Sequence, residues 1–264
     1  YRDSIATYYD AKGILKYANV NEPRFDHDPS TGESKGLLIE EGRTNIVPDS
    51  THFGTFSTSR CVKISKYGVA PDGTFSALYI ASNGSASSRV IHDFTVFTPA
   101  ANSTYTVSCY AKSVGNDNSF SLELGTGANN INAFFDLSNG TVTNETVSGT
   151  MTSVDASIED VGNGWYRCIA VVVHGASWNQ STNLAFYDQD NTDANSGILV
   201  WAPQIEAGAF ATSYIPSDTR FTSRSSTATY HDETGVLRTA PVNGARHGYK
   251  YDGRKWVETG LILE

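Results

Sequence analysis

Apolar and polar residues alternate, or β-branched residues cluster, in short runs between about residues 44 and 220. Such runs are typical of half-buried β-strands. The predicted strands cover residues 90–97, 104–112, 119–124, 132–137, 140–143, 152–159, 165–173, 183–187 and 197–201. Turn-forming residues separate several of them, and no stretch of reasonable length has helical periodicity. The pattern therefore predicts an all-β fold, an antiparallel jelly-roll β-sandwich.

A segment at the start of the chain recurs near its end. Residues 2–24 match residues 224–246 without a gap, at an offset of 222. After a two-residue shift, Gly-Leu-Leu-Ile-Glu at 36–40 matches Gly-Leu-Ile-Leu-Glu at 260–264. The identical pairs include Arg2/Arg224, Tyr8/Tyr230, Asp10/Asp232, Gly13/Gly235, Leu15/Leu237, Asn21/Asn243 and Arg24/Arg246.

This repeat sets the predicted domain organisation. Residues 1–43 form an N-terminal β connector, 44–220 the β-sandwich, and 221–264 a C-terminal repeat of the connector. Turn residues at 10–13 and 232–235 predict a small β-hairpin at each end. A unit that begins again after one domain, in a chain that starts without Met, indicates one period of a longer repetitive protein.

Composition restricts the partners. The formal net charge of −9 and the pI near 5.1 disfavour binding to nucleic acid or to an anionic membrane surface. No apolar run has the 18 to 20 residues, roughly, that span a bilayer, so membrane insertion is not expected. Charged residues make up only 18% of the chain, which suits β-proteins outside the cell. Cys61, Cys109 and Cys168 lack metal-ligand spacing and are predicted to be small buried residues.

No catalytic residues are predicted, and the chain is interpreted as a non-enzyme. The sequence contains no nucleophile elbow, phosphate-binding loop or zinc-protease helix. Carboxylates for a hydrolytic pair exist in number, as in any β-protein of this size, and are Glu123, Asp136, Asp155, Glu159 and Asp160. His27, between Asp26 and Asp28, is interpreted as part of a solvated turn rather than a metal ligand.

A ligand site is predicted where an aromatic residue and polar side chains fall in loops. Trp178 lies in a polar loop, whereas Trp165 and Trp201 lie within strands and are expected in the core. Residues 187–195 concentrate side-chain oxygens that suit sugar hydroxyls or a structural Ca²⁺, although a solvated loop is the simpler interpretation. No cofactor is otherwise expected. The predicted glycan-binding residues are Trp178, Tyr187, Asp188, Asp190 and Asp193.

Five segments carry a resemblance to a known group of proteins. They are residues 36–45, 70–74, 105–112, 164–168 and 204–216. Together they resemble modules of bacteriophage tail-fibre, head-fibre and spike proteins, and the central domain is similar to the jelly-roll carbohydrate-binding modules of bacterial glycosidases. In the last segment, Phe210, Tyr214 and Ile215 are predicted to anchor the exit of the final strand.

The resemblance implies a virion fibre or spike module on the virion surface, assembled in the host cytoplasm. Its implied partners are a host-surface glycan or receptor and other virion proteins, and a homo-oligomer, such as a trimer, is expected by the same likeness. The leading hypothesis is host attachment by binding of surface saccharide. A structural spacer or decoration module without ligand, and an accessory module of a carbohydrate-active enzyme, remain as alternatives.

Overall fold

The computed structural model describes residues 5–51, 53–54, 56–83, 89–94, 99–126, 129–175, 182–189, 196–217, 227–232, 234–240, 247–251 and 253–261. The chain divides into two compact units, Tyr1–Ser217 and Asp218–Glu264. The described residues contain strands and turns, and none of them lies in a helix that has the length and hydropathy to cross a membrane.

Unit 1 contains sixteen of the described strands. They are β1 (Ala6–Tyr9), β2 (Leu15–Ala18), β3 (Phe25–His27), β4 (Ser34–Leu37), β5 (Ser57–Ser59), β6 (Cys61–Gly68), β7 (Ala77–Ser82), β8 (Arg89–Phe94), β9 (Thr104–Val114), β10 (Ser119–Thr126), β11 (Asn129–Asp136), β12 (Thr141–Val147), β13 (Met151–Asp160), β14 (Tyr166–His174), β15 (Thr182–Asp188) and β16 (Gly197–Ala207). Unit 2 contains β17 (Ala228–His231), β18 (Leu237–Ala240), β19 (His247–Tyr251) and β20 (Trp256–Leu261).

Two six-stranded sheets form the sandwich. The first sheet has the order β12-β11-β10-β15-β8-β5, and the second has the order β13-β14-β9-β16-β7-β6. The registered strand pairs in both sheets are antiparallel, and the chain crosses between the sheets repeatedly, as in a jelly roll. The all-β antiparallel sandwich predicted from the sequence is therefore confirmed.

The inner faces of the two sheets enclose one large hydrophobic core. Alternate residues of each strand point inward because successive side chains of a strand lie on opposite faces. Strand β10 contributes Phe120, Leu122 and Leu124, and all three are fully buried. The Phe186 ring on β15 stacks on both the Phe56 and the Phe120 rings. Cys109 and Cys168, directly opposite on β9 and β14, belong to this core, as predicted, and Cys61 is half-buried.

A second hydrophobic cluster lies on the outer face of the second sheet. Trp165 and Trp201 are buried there, which confirms that neither belongs to an exposed site. Leu15 of hairpin β1–β2 packs into the same cluster. The N-terminal hairpins therefore cover apolar residues of the second sheet and belong to the same compact unit as the sandwich. The predicted boundary between residues 43 and 44 stays a prediction.

Strand β7 was missed by the sequence pattern. Its six residues, Ala-Leu-Tyr-Ile-Ala-Ser, are all buried, because the inner core covers one face of the strand and the Leu15 cluster covers the other. A strand that is covered on both faces has no alternation of apolar and polar residues. The edge strands β5 and β6 beside these sheets were missed as well.

Candidate functional site

The outer face of the first sheet presents polar and aromatic side chains from four adjacent strands. On β11, Ile131, Ala133 and Phe135 point into the core, so the half-buried Asn132 and Phe134 lie on the outer face. The same alternation places outward residues on β10, β15 and β8. We call this group the outer-face cluster, and it consists of Arg89, Ser121, Glu123, Asn132, Phe134 and Tyr187.

Strand register aligns these side chains in two rows. Phe134 lies opposite Ser121, Ser121 opposite Tyr187, and Tyr187 opposite Arg89. In the neighbouring row, Asn132 lies opposite Glu123. Directly opposed residues of antiparallel strands have side chains in contact distance on one face. Each row therefore combines hydrogen-bonding groups from neighbouring strands, and the first adds an aromatic ring.

Glu123 is the centre of a hydrogen-bond network. Its Oε2 accepts the Tyr187 hydroxyl at 3.0 Å and the Asn132 side-chain amide at 3.2 Å. The Arg89 guanidinium donates to the Tyr187 oxygen at 3.2 Å and lies 5.6 Å from the centre of that ring. Both hydrogen bonds that Glu123 makes among the described residues end on Oε2, so Oε1 keeps its acceptor capacity.

The surroundings of Tyr187 keep its phenol protonated near neutral pH. Burial, followed by the nearby Glu123 carboxylate, raises the pKa of Tyr187 well above its ordinary value. The phenol therefore remains a neutral donor to Glu123. Arg89 Nε is buried and has no hydrogen-bond partner among the described residues. Such an unmet donor costs free energy unless a ligand or water accepts from it.

Two of the predicted glycan-binding residues lie among the described residues. Tyr187 belongs to the outer-face cluster. Asp188 is only 2% exposed, and its carboxylate accepts the Ser82 backbone amide at 2.8 Å, which links the end of β15 to the end of β7. The structure thus gives Asp188 a structural role, and its ligand role stays a prediction. Trp178, Asp190 and Asp193 lie outside the described residues, as does most of the segment considered for Ca²⁺.

Sequence reasoning missed most of the outer-face cluster. Arg89, Asn132 and Phe134 were not singled out, and Glu123 was considered only as one carboxylate among many. The alternation of residues 129–136 was the available signal, because it separates a core face from a face that carries Asn132 and Phe134. The cross-strand register that joins them to Tyr187 depends on pairing between distant segments and is not visible in local sequence.

Buried hydrogen bonds join two of the segments that carry the family resemblance, residues 36–45 and 204–216. Asn45 donates to the carbonyls of Pro203 and Ile215, and its Oδ1 accepts the Ile205 amide. The buried Glu206 accepts both the amide and the hydroxyl of Thr212. These residue types are explained by hydrogen bonds that close the exit of β16, so they do not by themselves indicate a ligand.

The predicted apolar anchor at this exit is correct for one of its residues and wrong for another. Tyr214 is 1% exposed, its ring lies against the Trp201 indole, and its hydroxyl shares a 2.8 Å hydrogen bond with Ser50. Phe210, in contrast, is 47% exposed, and the Arg43 guanidinium lies over its ring. Phe210 therefore makes a cation–π contact with Arg43 at the surface and is not part of the buried anchor.

The Asp-rich turn of the connector makes local hydrogen bonds. Asp28 accepts the backbone amides of Ser30 and Thr31 at 3.0 Å each, and Asp26 accepts the Tyr9 amide. His27 Nδ1 lies 3.1 Å from the Tyr9 carbonyl. Within the described ranges, no group of three or more His, Cys, Asp and Glu side chains forms a candidate metal site.

A cavity of about 450 Å³ lies between the N-terminal hairpins and the second sheet. Tyr9, Tyr110, Asp26, Glu159 and Arg167 are among its lining residues. The Arg167 guanidinium donates to the Thr212 carbonyl at 2.6 Å, and the hydroxyls of Tyr9 and Tyr110 lie 3.3 Å apart. The Arg167 hydrogen bond lies within the sandwich, whereas the Tyr9–Tyr110 contact joins the connector to it, so we interpret the cavity as part of that interface.

Comparisons with known proteins give weak structural similarities and no sequence match. No family model matches the chain, and no curated protein matches its sequence. Among solved structures, the chain is similar to the CBM22-1 xylan-binding domain of Paenibacillus barcinonensis Xyn10C, at 11% identity and a TM-score of 0.38, with 64% of this chain and 94% of that chain covered. It is also similar to the CBM22-1–GH10 modules of Clostridium thermocellum xylanase 10B, complexed with xylohexaose, at 12% identity and a TM-score of 0.38, with 66% and 29% covered. A likeness this weak carries no argument about ligand or function.

Proposed function

We propose that the β-sandwich is a non-catalytic saccharide-binding module whose ligand face is the outer-face cluster. The observation that supports this most directly is the Glu123 network beside Phe134, in which a half-buried carboxylate, amide and guanidinium meet a buried phenol on the outer face of one sheet. Side chains of these types offer donors and acceptors in fixed positions, as the hydroxyls of a sugar require.

The chemistry of the cluster favours an uncharged saccharide. Glu123 Oε1 and the Asn132 amide carry unused hydrogen-bonding capacity, and the half-buried Phe134 ring offers an apolar surface for the C–H face of a sugar. The Glu123 carboxylate and the net charge of −9 would repel an anionic glycan. Neutral polysaccharide is therefore the class of ligand that we assign to this face.

The biological setting that we propose is a virion fibre or spike, with a host-surface glycan as the partner. The support is the sequence resemblance to bacteriophage fibre and spike modules, which rests on residues 36–45, 70–74, 105–112, 164–168 and 204–216. Attachment to other virion proteins, a homo-oligomeric state and a virion-surface location are part of the same proposal. An accessory module of a carbohydrate-active enzyme would use the same face.

A spacer role is the second candidate, and the repeated connector favours it. The two candidates differ in one property, because a spacer binds no saccharide. A glycan array that carries neutral bacterial, fungal and plant polysaccharides together with sialylated and sulfated glycans, probed with the full chain, separates them. We expect binding to at least one neutral polysaccharide and none to sialylated or sulfated ones.

Substitutions in the outer-face cluster test whether the saccharide binds there. Glu123→Gln removes a charged acceptor, and we expect at least a tenfold weaker binding on the array hit, since hydrogen bonds to charged groups are worth about 1.5–3 kcal/mol. Phe134→Ala should weaken binding as well. Ser157→Ala, an exposed position on β13 of the second sheet, is the matched control and should bind as the parent does. Binding that is unchanged in both cluster variants would contradict the proposal.

A further inference from the structure

The two connector hairpins have the same strand register. In β1–β2, Ala6 pairs with Ala18 and Tyr9 with Leu15. In β17–β18, Ala228 pairs with Ala240 and His231 with Leu237, so every pair is displaced by 222 residues. The second hairpins correspond too, since Phe25 pairs with Leu37 in β3–β4 and His247 with Leu261 in β19–β20. The offset between the two copies is 222 residues for Phe25 and His247 and 224 residues for Leu37 and Leu261, which reproduces the two-residue shift seen in the sequence.

The turns of the two hairpins are built in the same way. Asp10 accepts the amides of Lys12 and Ile14, and the Gly13 amide donates to the Asp10 carbonyl. Asp232 accepts the amides of Thr234 and Val236, and the Gly235 amide donates to the Asp232 carbonyl. Both glycines have a positive φ, at 71° and 81°. The hairpins are therefore equivalent in backbone and in turn chemistry.

In unit 1, this hairpin is a docking element. Leu15 is 2% exposed and packs in the cluster that contains Trp165, Trp201 and Tyr214. The Leu15 amide donates to the Pro71 carbonyl at 3.0 Å, and the Thr7 hydroxyl donates to the Tyr214 carbonyl at 2.7 Å. One face of the hairpin, which carries Thr7 and Leu15, thus packs against the β-sandwich.

The equivalent face in unit 2 is exposed. Leu237, which corresponds to Leu15, is 59% exposed, and the adjacent Val236 is 48% exposed. The turn, the register and the leucine are the same, but the leucine is covered in one copy and open in the other.

We propose that hairpin β17–β18 is a docking surface for a second β-sandwich of this same kind, held through Leu237 as the first is held through Leu15. The contacts of hairpin β1–β2 define the occupant. That hairpin is covered by the outer face of the sheet that carries Trp201 and by the chain around Tyr214, and we expect the same surface of a second sandwich to cover β17–β18. By sequence, Arg246 and Glu264 stand where Arg24 and Glu40 stand in the first copy, and both lie outside the described residues.

Some contacts of β17–β18 with a second sandwich would differ from those that β1–β2 makes with the first. Tyr17, whose hydroxyl donates to Asp72 at 3.0 Å, is replaced by Thr239, which is too short for that hydrogen bond. Tyr9, which contacts Tyr110, is replaced by His231, and this ring stacks on Trp256 within unit 2. The proposal therefore rests on the leucine contact and the shared backbone, and it is independent of saccharide binding.

The test appends a second sandwich to the intact chain. Residues 41–217 are fused after Glu264, which reproduces the spacing between the first connector and its sandwich. Hydrogen exchange of residues 228–240 is compared between the fusion and the 264-residue chain. We expect exchange at least tenfold slower in the fusion, because a docked hairpin opens less often. Equal exchange rates in the two proteins would overturn the proposal.

Variants and a second fusion cover the remaining outcomes. Leu237→Asp should abolish the protection in the fusion and leave thermal unfolding of the 264-residue chain unchanged, since Leu237 is exposed there. A fusion that appends residues 1–217 provides the added sandwich with its own connector. If that sandwich folds and the one preceded by β17–β18 does not, the proposal is overturned. Protection of Leu237 in the 264-residue chain that appears only at high concentration would place the occupant on another copy of this chain, with no appended sandwich required, and would also overturn the proposal.

Discussion

Arg24 and Glu40 form an ion pair of 2.7 Å between two segments of the N-terminal connector, and both side chains bind Ser213 of the sandwich. The Arg24 side chain is 6% exposed and the Glu40 side chain 17%. The Ser213 amide donates to the second oxygen of Glu40 at 2.6 Å, and Arg24 donates to the Thr7 carbonyl. This arrangement gives the buried Arg24 and the half-buried Glu40 their partners and fixes the connector against the end of the sandwich.

Removal of Arg24 should therefore destabilise unit 1. Arg24→Ala leaves the Glu40 carboxylate without its cation in a largely buried position, and we expect a loss of about 3 kcal/mol in the free energy of unfolding. Urea denaturation followed by tryptophan fluorescence measures it, because Trp165 and Trp201 lie in the cluster below the connector.

The matched control is an exposed ion pair of the same connector. Lys35 and Asp28 lie 3.2 Å apart with side chains 53% and 34% exposed. Lys35→Ala should change the unfolding free energy by less than about 1 kcal/mol. An equal effect of the two substitutions would show that the burial of Arg24 does not matter for its contribution.

Asp28 gives a prediction for the effect of pH. Hydrogen bonds from the Thr31 amide and from Lys35 hold the pKa of Asp28 at about 2, below its usual value near 3.8. Because the folded pKa lies below the unfolded one, the carboxylate stabilises the fold above the unfolded value, and this contribution is lost as the pH falls towards 2. An NMR titration should place the Asp28 midpoint near 2.

The variant Asp28→Asn provides the control. Its difference in stability from the parent protein should be constant above about pH 5 and should shrink as the pH falls through the interval between the two pKa values. A difference that grows with acid would have the opposite sign and would contradict the hydrogen bonds assigned to this carboxylate.

The three cysteines should differ in reactivity. Cys109 and Cys168 are fully buried in the core, and burial raises the pKa of both thiols. Cys61 is half-buried and donates to the Arg89 carbonyl at 2.9 Å. We expect a maleimide to label Cys61 alone in the native protein, and all three thiols in 6 M guanidinium, by mass spectrometry. Native labelling that persists in Cys61→Ser would contradict the burial of the other two.

The sandwich was predictable because its strands carry local patterns. Strand β11 has inward residues at every second position, and the turn at Asp136, Ser138 and Gly140 separates it from β12. The core role of Trp165 and Trp201 followed from their place within apolar strands. Strand β7 could not be predicted in this way, because burial on both faces removes the alternation of apolar and polar residues from which a strand is recognised.

The candidate site was less predictable than the fold. Tyr187 was selected as an aromatic residue at the start of the polar segment 187–195, but its partners Glu123 and Arg89 come from strands that are distant in sequence. Pairing across a sheet sets these neighbours, and local composition does not encode it. Asp188 was predicted in a polar loop from local composition, but in the structure it is buried and accepts the Ser82 amide.

The most direct test of saccharide binding by the outer-face cluster is an NMR titration of the full chain with neutral hexasaccharides of glucose, mannose, galactose and xylose. We predict that at least one of them shifts the backbone amides of Ser121, Glu123, Asn132 and Tyr187 in a saturable manner, with the second sheet unaffected. Shifts confined to the second sheet or to the connectors, or none with any of the four, would contradict the account.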